Sequence, residues 1–304
     1  MKLHLTPAPH VHSPQTTRAL MRNVLLALAP CAVAGVVIFG APALVLMAVS
    51  VLSAVAGEAC WQRLTGQKVR VDDLSAAVTG LILGMNLSPR APWWLAVVGG
   101  LFAVVLVKGL FGGLGDNFLN PALAARAFLL VSWPRYLTTW AAPLAADAVS
   151  GATPLANPSG YTLGQLFLGN IPGSIGEVCK AAVLVGFIIL LCTKTITWHI
   201  PVSLTLSTLV FCGLLGNNPI AAVLSGGVLF ASVFMATDYV TCPMSTRGQL
   251  IYGVGAGLLI ALIRKFGLYP EGVTFAILLM NVATPLIDRY TKRRVYGYEK
   301  EAKA

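Results

Sequence analysis

The sequence predicts an all-α polytopic membrane protein, with about ten transmembrane helices in two inverted five-helix repeats and an extracytoplasmic loop between the halves. Three observations carry that prediction. The 304 residues are 57% hydrophobic and only 11% charged, whereas a soluble domain carries roughly 25% charged residues. The few charges bound long uncharged runs, from Asp73 to Arg90, Arg90 to Lys108, Arg247 to Arg264 and Glu271 to Asp288. Two longer runs, Arg22 to Glu58 and Lys194 to Asp238, each hold two crossings split by turn residues, Gly40-Ala41-Pro42 and Gly216-Asn217-Asn218-Pro219.

A crossing takes about 20 apolar residues, because each helical residue rises about 1.5 Å. The expected spans are therefore about 22–39, 42–60, 74–88, 92–111, 119–133, 177–192, 199–216, 219–236, 248–264 and 271–287. Residues 1–21 form a polar cytoplasmic tail, 22–133 the first membrane repeat, 134–176 an outer loop, 177–288 the second repeat and 289–304 a second cytoplasmic tail. The first tail does not read as a secretory leader, since the apolar run after it continues straight into another. Several spans are short and glycine-interrupted, the pattern of broken helices that line a site.

Orientation follows from the basic residues. With the N-terminus inside, fifteen Lys and Arg fall on inner segments, and five (Arg90, Arg135, Lys180, Arg264, Lys265) fall outside. Arg126 is left within a span. The net charge of +10 is then a topology signal with some attraction to anionic lipid, and no nucleic-acid partner is needed to explain it. The histidines His4, His10 and His12 lie in the polar tail and read as solvated. Cys31, Cys60, Cys179, Cys192, Cys212 and Cys242 form no CxxC pair and read as small packing residues, so iron–sulfur ligation by this chain alone is not expected.

The halves echo each other. "AAVTGLILGMNLSP" (76–89) shares its small-residue rhythm with "AAVLSGGVLFASVF" (221–234), and "NPALAAR" (120–126) sits late in its half as "NVATPLIDR" (281–289) does. Five spans per half require equivalent repeats to be inverted, with a site near the midplane between them.

Four stretches carry chemistry. "DAVSGATPLANPSG" (147–160) falls in the Pro- and Gly-rich insert, where a connection this long is functional or disordered. Gly151 admits close approach, Ala152 leaves room, and Pro154 keeps Thr153 out of helical geometry so that its hydroxyl is presented. The plainer reading is a turn in which Ser150 and Thr153 bond nearby backbone. In "GGLGDNFLNPA" (112–122), Gly112, Gly113 and Gly115 permit an unwound segment, and Asn117 and Asn120 offer amide groups. Asn120-Pro121 opens a half-helix whose first amides suit an anion or a ligand carbonyl, or else forms an ordinary capped turn. Arg126 needs a partner or a wet cavity: an ion pair with Asp238 or Asp288, or a place beside a cofactor or ion. In "FMATDYVTCP" (234–243), Thr237, Asp238 and Thr241 suit a hard cation or a proton relay, or cap a helix at a membrane edge. Glu58 reads as an interfacial residue.

"SPQTTRALMRNVLLALAP" (13–30), "GGLGDNFLNPALAARAF" (112–128), "SGATPLA" (150–156), "FMATDYVTCP" (234–243) and "NVATPLIDRYTKRRVYG" (281–297) together resemble one family of membrane subunits. It comprises the D-type subunit of the Rnf electron-transport complex and, matching slightly less well, the B-type subunit of the sodium-translocating NADH:quinone reductase. The resemblance spans nearly the whole chain, and the compact N-terminal tail favours the Rnf side. It implies a urea-transporter-like fold and, at Asp147…Ser150-Gly151-Ala152-Thr153, FMN joined through its phosphate to the Thr153 hydroxyl by a flavin transferase. It further implies a second, non-covalent flavin (riboflavin or another) near the inner side, in the region of Asn117 and Asn120. Five further subunits are implied, among them a second covalent-FMN subunit and the holders of NAD and iron–sulfur clusters. The function implied is a redox-driven Na⁺ or H⁺ translocase of ferredoxin:NAD⁺ oxidoreductase type in a bacterial or archaeal cytoplasmic membrane. A small-solute channel of the same architecture is the rival reading, and covalent flavin is what separates the two.

Overall fold

The computed structural model describes residues 15–141, 143, 150–151, 160–267 and 272–291. Helix α1 (Thr17–Phe39) starts where Thr16 accepts a hydrogen bond from the Ala19 N–H at 3.2 Å, and it ends at Gly40, whose φ of 73° favours a residue without a Cβ. The next residue opens α2 (Ala41–Leu64), with Pro42 in its first turn, where no helical N–H is lost. Helix α3 (Ser75–Met85) is short, and α4 (Trp93–Leu101) continues as a π-helical segment, Phe102–Gly109. Helix α5 (Pro121–Ser132) completes the first half.

The connection then carries α6 (Pro134–Thr138), the two-residue strands β1 (Trp140–Ala141) and β2 (Ser150–Gly151), paired antiparallel, and α7 (Leu163–Leu168). Its last part is not a free loop. Ile171, Ser174 and Ile175 are buried, and the N–H groups of Ile175 and Gly176 donate to Leu87 and Met85 carbonyls at 3.3 and 2.8 Å. The second half comprises α8 (Lys180–Cys192), α9 (His199–Leu214), α10 (Pro219–Leu224), α11 (Val228–Phe234), α12 (Thr246–Phe266) and α13 (Val273–Thr291). All ten expected spans carry helix. Among the described residues, α1, α2 and α12 are the helices long and apolar enough to cross a membrane.

The span expected at 219–236 is broken at Ser225-Gly226-Gly227, with Gly226 at φ 66°. The break is electrostatically dressed at both ends. Arg264 donates to the Ala222 carbonyl and, at 3.2 Å, to that of Ser225; Lys180 donates to the Gly226 carbonyl at 3.1 Å and to that of Glu177. Cations thus meet the carbonyl end of α10. The Glu177 carboxylate lies against the amide end of α11, where a Cβ on Gly227 would come within 2.6 Å of Oε2. Lys180 and Arg264, counted from sequence as outer-segment charges, are in fact structural caps, because unpaired carbonyls inside an apolar body need donors.

One packing motif recurs in the two halves. Ser53 on α2 donates to the Ala96 carbonyl at 3.3 Å, and a Cβ on Gly100 of α4 would lie 2.1 Å from its Oγ. Ser207 on α9 donates to the Gly253 carbonyl at 3.2 Å, and a Cβ on Gly257 of α12 would lie 1.9 Å from its Oγ. Both pairs let helix backbones approach closely, as small residues do between helices in lipid. The caps recur too: Asn120 and Asn218 each precede a proline and accept two N–H bonds at the starts of α5 and α10.

Candidate cofactor site

A cleft opens where the two halves meet. It is lined by α1 (Val24), α3 (Ser75, Ile82), the π-helical end of α4 (Lys108), the turn before α5 (Asn117, Asn120), α8 (Leu190), α11 (Phe234) and the segment after it (Thr237, Asp238, Tyr239). Asn117, Asn120, Thr237 and Asp238, singled out from two stretches far apart in sequence, therefore stand around one space.

Their positions have local causes. Gly112, Gly113 and Gly115 all have φ above 100°, so the chain leaves its helix at Gly109 and turns back to Asn120. Asn117, buried, donates to the Leu119 carbonyl at 3.0 Å. Asn120 Oδ1 accepts the N–H groups of Ala122 and Leu123 at 3.1 and 3.2 Å, while its Nδ2 donates to the Met235 carbonyl at 3.1 Å. Asn120 is thus a cap and a tie between the halves. The helix amides expected to attract an anion are engaged by its own side chain. Asn281 reinforces the tie: its amide fits with the oxygen accepting from the Asn120 N–H at 3.1 Å and the nitrogen facing the Tyr252 hydroxyl at 2.7 Å.

Across the cleft, Thr237 donates to the Val233 carbonyl at 2.6 Å and Asp238 Oδ2 accepts from Thr241 at 3.1 Å. Burial pushes the Asp238 carboxyl above its ordinary value, opposed by hydrogen bonds from Thr241 and the Val240 N–H and by the charge of Lys108.

Arg126 stands apart from these four. It is 5% exposed, and its Nη1 donates to Asn86 Oδ1 at 3.0 Å, Asn86 in turn donating to the Ile82 carbonyl at 2.6 Å. This contact is to a neutral amide and not to Asp238 or Asp288, whose carboxylates bond Thr241 and, at 3.1 Å, the Met244 N–H. Of the stretch around Thr153, the backbone of Ser150 and Gly151 is held in β2 against Ala141 and Trp140. Asp147, Ala152 and Thr153 lie outside the described residues.

Sequence reasoning missed a buried cation in the site, Lys108. Lys108, 2% exposed, donates to Glu58 Oε1 at 2.7 Å and to Ser75 Oγ at 2.6 Å. Glu58 is 5% exposed and is paired with a cation inside the fold. Its position within the apolar run "VLSAVAGEACW" was the signal available, since a lone carboxylate there needs a cation.

The profile of the NQR2, RnfD, RnfE family matches residues 4–297. A protein of Acetobacterium woodii, named as the D-type subunit of a Na⁺-translocating ferredoxin:NAD⁺ oxidoreductase complex, is 47% identical over 316 residues, covering 100% of this chain and 99% of its own length. One from Clostridium ljungdahlii, named as the D-type subunit of a proton-translocating ferredoxin:NAD⁺ oxidoreductase complex, is 39% identical over 96% of each chain. One from Halorhodospira halophila, named as the D-type subunit of an ion-translocating oxidoreductase complex, is 38% identical over 96% of this chain and 95% of that one.

Proposed function

The chain belongs to the NQR2, RnfD, RnfE family, and on that premise we propose that it is the D-type membrane subunit of an ion-translocating ferredoxin:NAD⁺ oxidoreductase, relaying electrons through bound flavin. One observation carries the flavin reading: Asn117, Asn120, Thr237 and Asp238 line one cleft whose walls are otherwise largely apolar. Val24, Ile82, Leu190, Ile196 and Phe234 suit the faces of a flat ring, and Lys108, Asn117, Thr237 and Asp238 suit its polar edge. A flavin held there supplies one-electron redox chemistry. The chain's part is to orient the ring, exclude water, and set the Lys108 ammonium where it offsets negative charge.

A covalent FMN on Thr153 is the second half of the proposal. It rests on the resemblance at Asp147 and Ser150-Gly151-Ala152-Thr153, and β2 would anchor the base of that tether. The cleft lies at the start of α5, and the connection that carries β2 follows the end of that helix, whose 12 residues span about 18 Å. The membrane layout belongs to the same proposal: ten crossings in two inverted repeats, both termini inside, the Thr153 loop outside.

Thr153→Ala should abolish the ultraviolet-fluorescent band of the denatured chain while the complex still assembles. Thr153→Ser keeps a hydroxyl and should retain part of the label. Asn117→Ala combined with Thr237→Val should release less non-covalent flavin on denaturation and leave the covalent band unchanged. An undiminished band in Thr153→Ala would sink the tether assignment. For the layout, cysteines at Asn157 or Ser159 should react with an impermeant thiol reagent from outside intact cells, and one at Lys300 should not; the reverse pattern overturns the orientation.

A further inference from the structure

Helices α1 and α2 are both long and apolar enough to cross a membrane, so the tight turn at Gly40 between them marks one edge of the hydrocarbon layer. An apolar groove opens beside that turn. One wall is the start of α2 (Pro42, Val45, Leu46), and the other is the approach to α4 (Pro89, Ala91, Trp93). Leu46 and Ala91 are buried at its floor, while Val45 and Trp93, 51% and 64% exposed, form its lips. Pro42 and Pro89 carry no N–H, so these positions offer a polar occupant no backbone donor. The second wall is pinned to the rest of the fold. Ser88, fully buried, donates to the Thr139 carbonyl at 2.5 Å and accepts the Arg90 N–H at 3.3 Å, and the Ala91 N–H donates to the Ser88 carbonyl at 2.9 Å. Arg90 stands between two residues of this wall, and its guanidinium has no hydrogen bond or ion pair among the described residues.

We propose that this groove seats one phospholipid, with its phosphate on the Arg90 guanidinium and the first part of an acyl chain between Val45 and Trp93. Charge and depth select that occupant. A guanidinium is a planar fork that matches phosphate oxygens, and phosphate is the anion a bilayer sets at the edge of its hydrocarbon. Trp93 suits the same depth, because indole rings gather where hydrocarbon meets headgroups. Length selects it too. The groove follows only the first six residues of α2, about 9 Å, which is less than two helical turns. A transmembrane helix of a partner packs over more turns than that, whereas an acyl chain needs only an apolar slot. A lipid held there fastens the start of α2 to the turn before α4 and, through Ser88, to the connection after α6. The site is separate from the cofactor cleft and independent of the flavin reading.

The test uses the intact complex carrying a photoreactive side chain, Trp93→p-benzoylphenylalanine, with Leu206→p-benzoylphenylalanine on the exposed face of α9 as the control. Each is reconstituted in vesicles of phosphatidylglycerol and phosphatidylcholine, re-extracted, washed exhaustively in detergent and irradiated, and its peptides are weighed. The peptide holding position 93 should carry the mass of one phospholipid, and the control peptide should not, since bulk lipid washes away. Arg90→Gln should lower the adduct about ten-fold, the worth of one hydrogen bond to a charged group. Val45→Trp fills the groove from its lip and should abolish the adduct without touching Arg90. A cross-link from position 93 to another polypeptide identifies a partner helix as the occupant and overturns the proposal. Loss of the adduct on washing, down to the level of the control, overturns it as well. An adduct undiminished in Arg90→Gln overturns the phosphate contact, and one undiminished in Val45→Trp overturns the seat in the groove.

Discussion

Lys108 and Lys180 are 2% and 1% exposed, yet they are held in opposite ways. Lys108 is bonded to side chains, the Glu58 carboxylate and the Ser75 hydroxyl, at the lining of the cleft. Lys180 donates to backbone carbonyls, those of Glu177 and Gly226, at a helix break. Its nearest acidic neighbour in sequence, Glu177, spends Oε1 on the Ser174 N–H at 3.2 Å. The first arrangement can be exchanged for another partner, since a mobile ammonium on a carboxylate has alternatives. The second cannot, because the carbonyls it satisfies are fixed in the chain.

That contrast is broken most severely at Lys180. Lys180→Met should cost on the order of 2–6 kcal/mol, since it leaves two buried carbonyls without a donor at about 1–3 kcal/mol each. It should remove the monodisperse, detergent-extracted species in size exclusion. Adding Glu177→Gln should not restore it, because the orphaned carbonyls remain. Lys108→Met alone strands Glu58 and should also destabilise. The double variant Glu58→Gln/Lys108→Met, however, should return to within about 1 kcal/mol of wild type, as buried pairs replaced together often do. Thermal unfolding of the four variants reads this directly, and equal rescue at both lysines would erase the distinction.

A smaller effect sharpens the comparison between the halves. Gly257→Ala forces a methyl towards Ser207 and should cost about 1–3 kcal/mol, relieved in part by Ser207→Ala. Gly100→Ala should behave alike against Ser53. A large difference between the two would show that the shared motif carries unequal loads. The smallest expected change is at the caps. Asn218→Ala should lose about 1 kcal/mol, and Asn120→Ala somewhat more, since its amide also ties the halves through Met235. Denaturation midpoints of the two variants, compared side by side, test that order.

Much of this was legible in the sequence. Uncharged runs and the turns at Gly40 and Gly216 mark helices because hydropathy and backbone punctuation are local properties. The polar islands holding Asn117, Asn120, Thr237 and Asp238 stood out for the same reason. What did not show was pairing. Lys108 sits near the end of an apolar run and so looked like a topology charge, and one partner of Arg126 proved to be an amide 40 positions away. Hydropathy says nothing about such cross-chain bonds. The buried stretch around Ile171 and Ile175 was hidden by its prolines and glycines, which report the absence of helix and not exposure to solvent. The break at Ser225-Gly226-Gly227 was present in the letters but lay inside a run apolar enough to read through.

That break bears on how the protein is made. Helices of six and seven residues are each too short to be accepted by a bilayer, and their exposed backbone ends cannot rest in hydrocarbon. Lys180 precedes the break in synthesis, whereas Arg264 emerges roughly forty residues after it. The α10–α11 segment must therefore wait, sheltered by α8 and α9 or by the insertion machinery, until α12 brings its guanidinium. Biogenesis of the second half is accordingly expected to be a concerted step that cannot be finished one helix at a time.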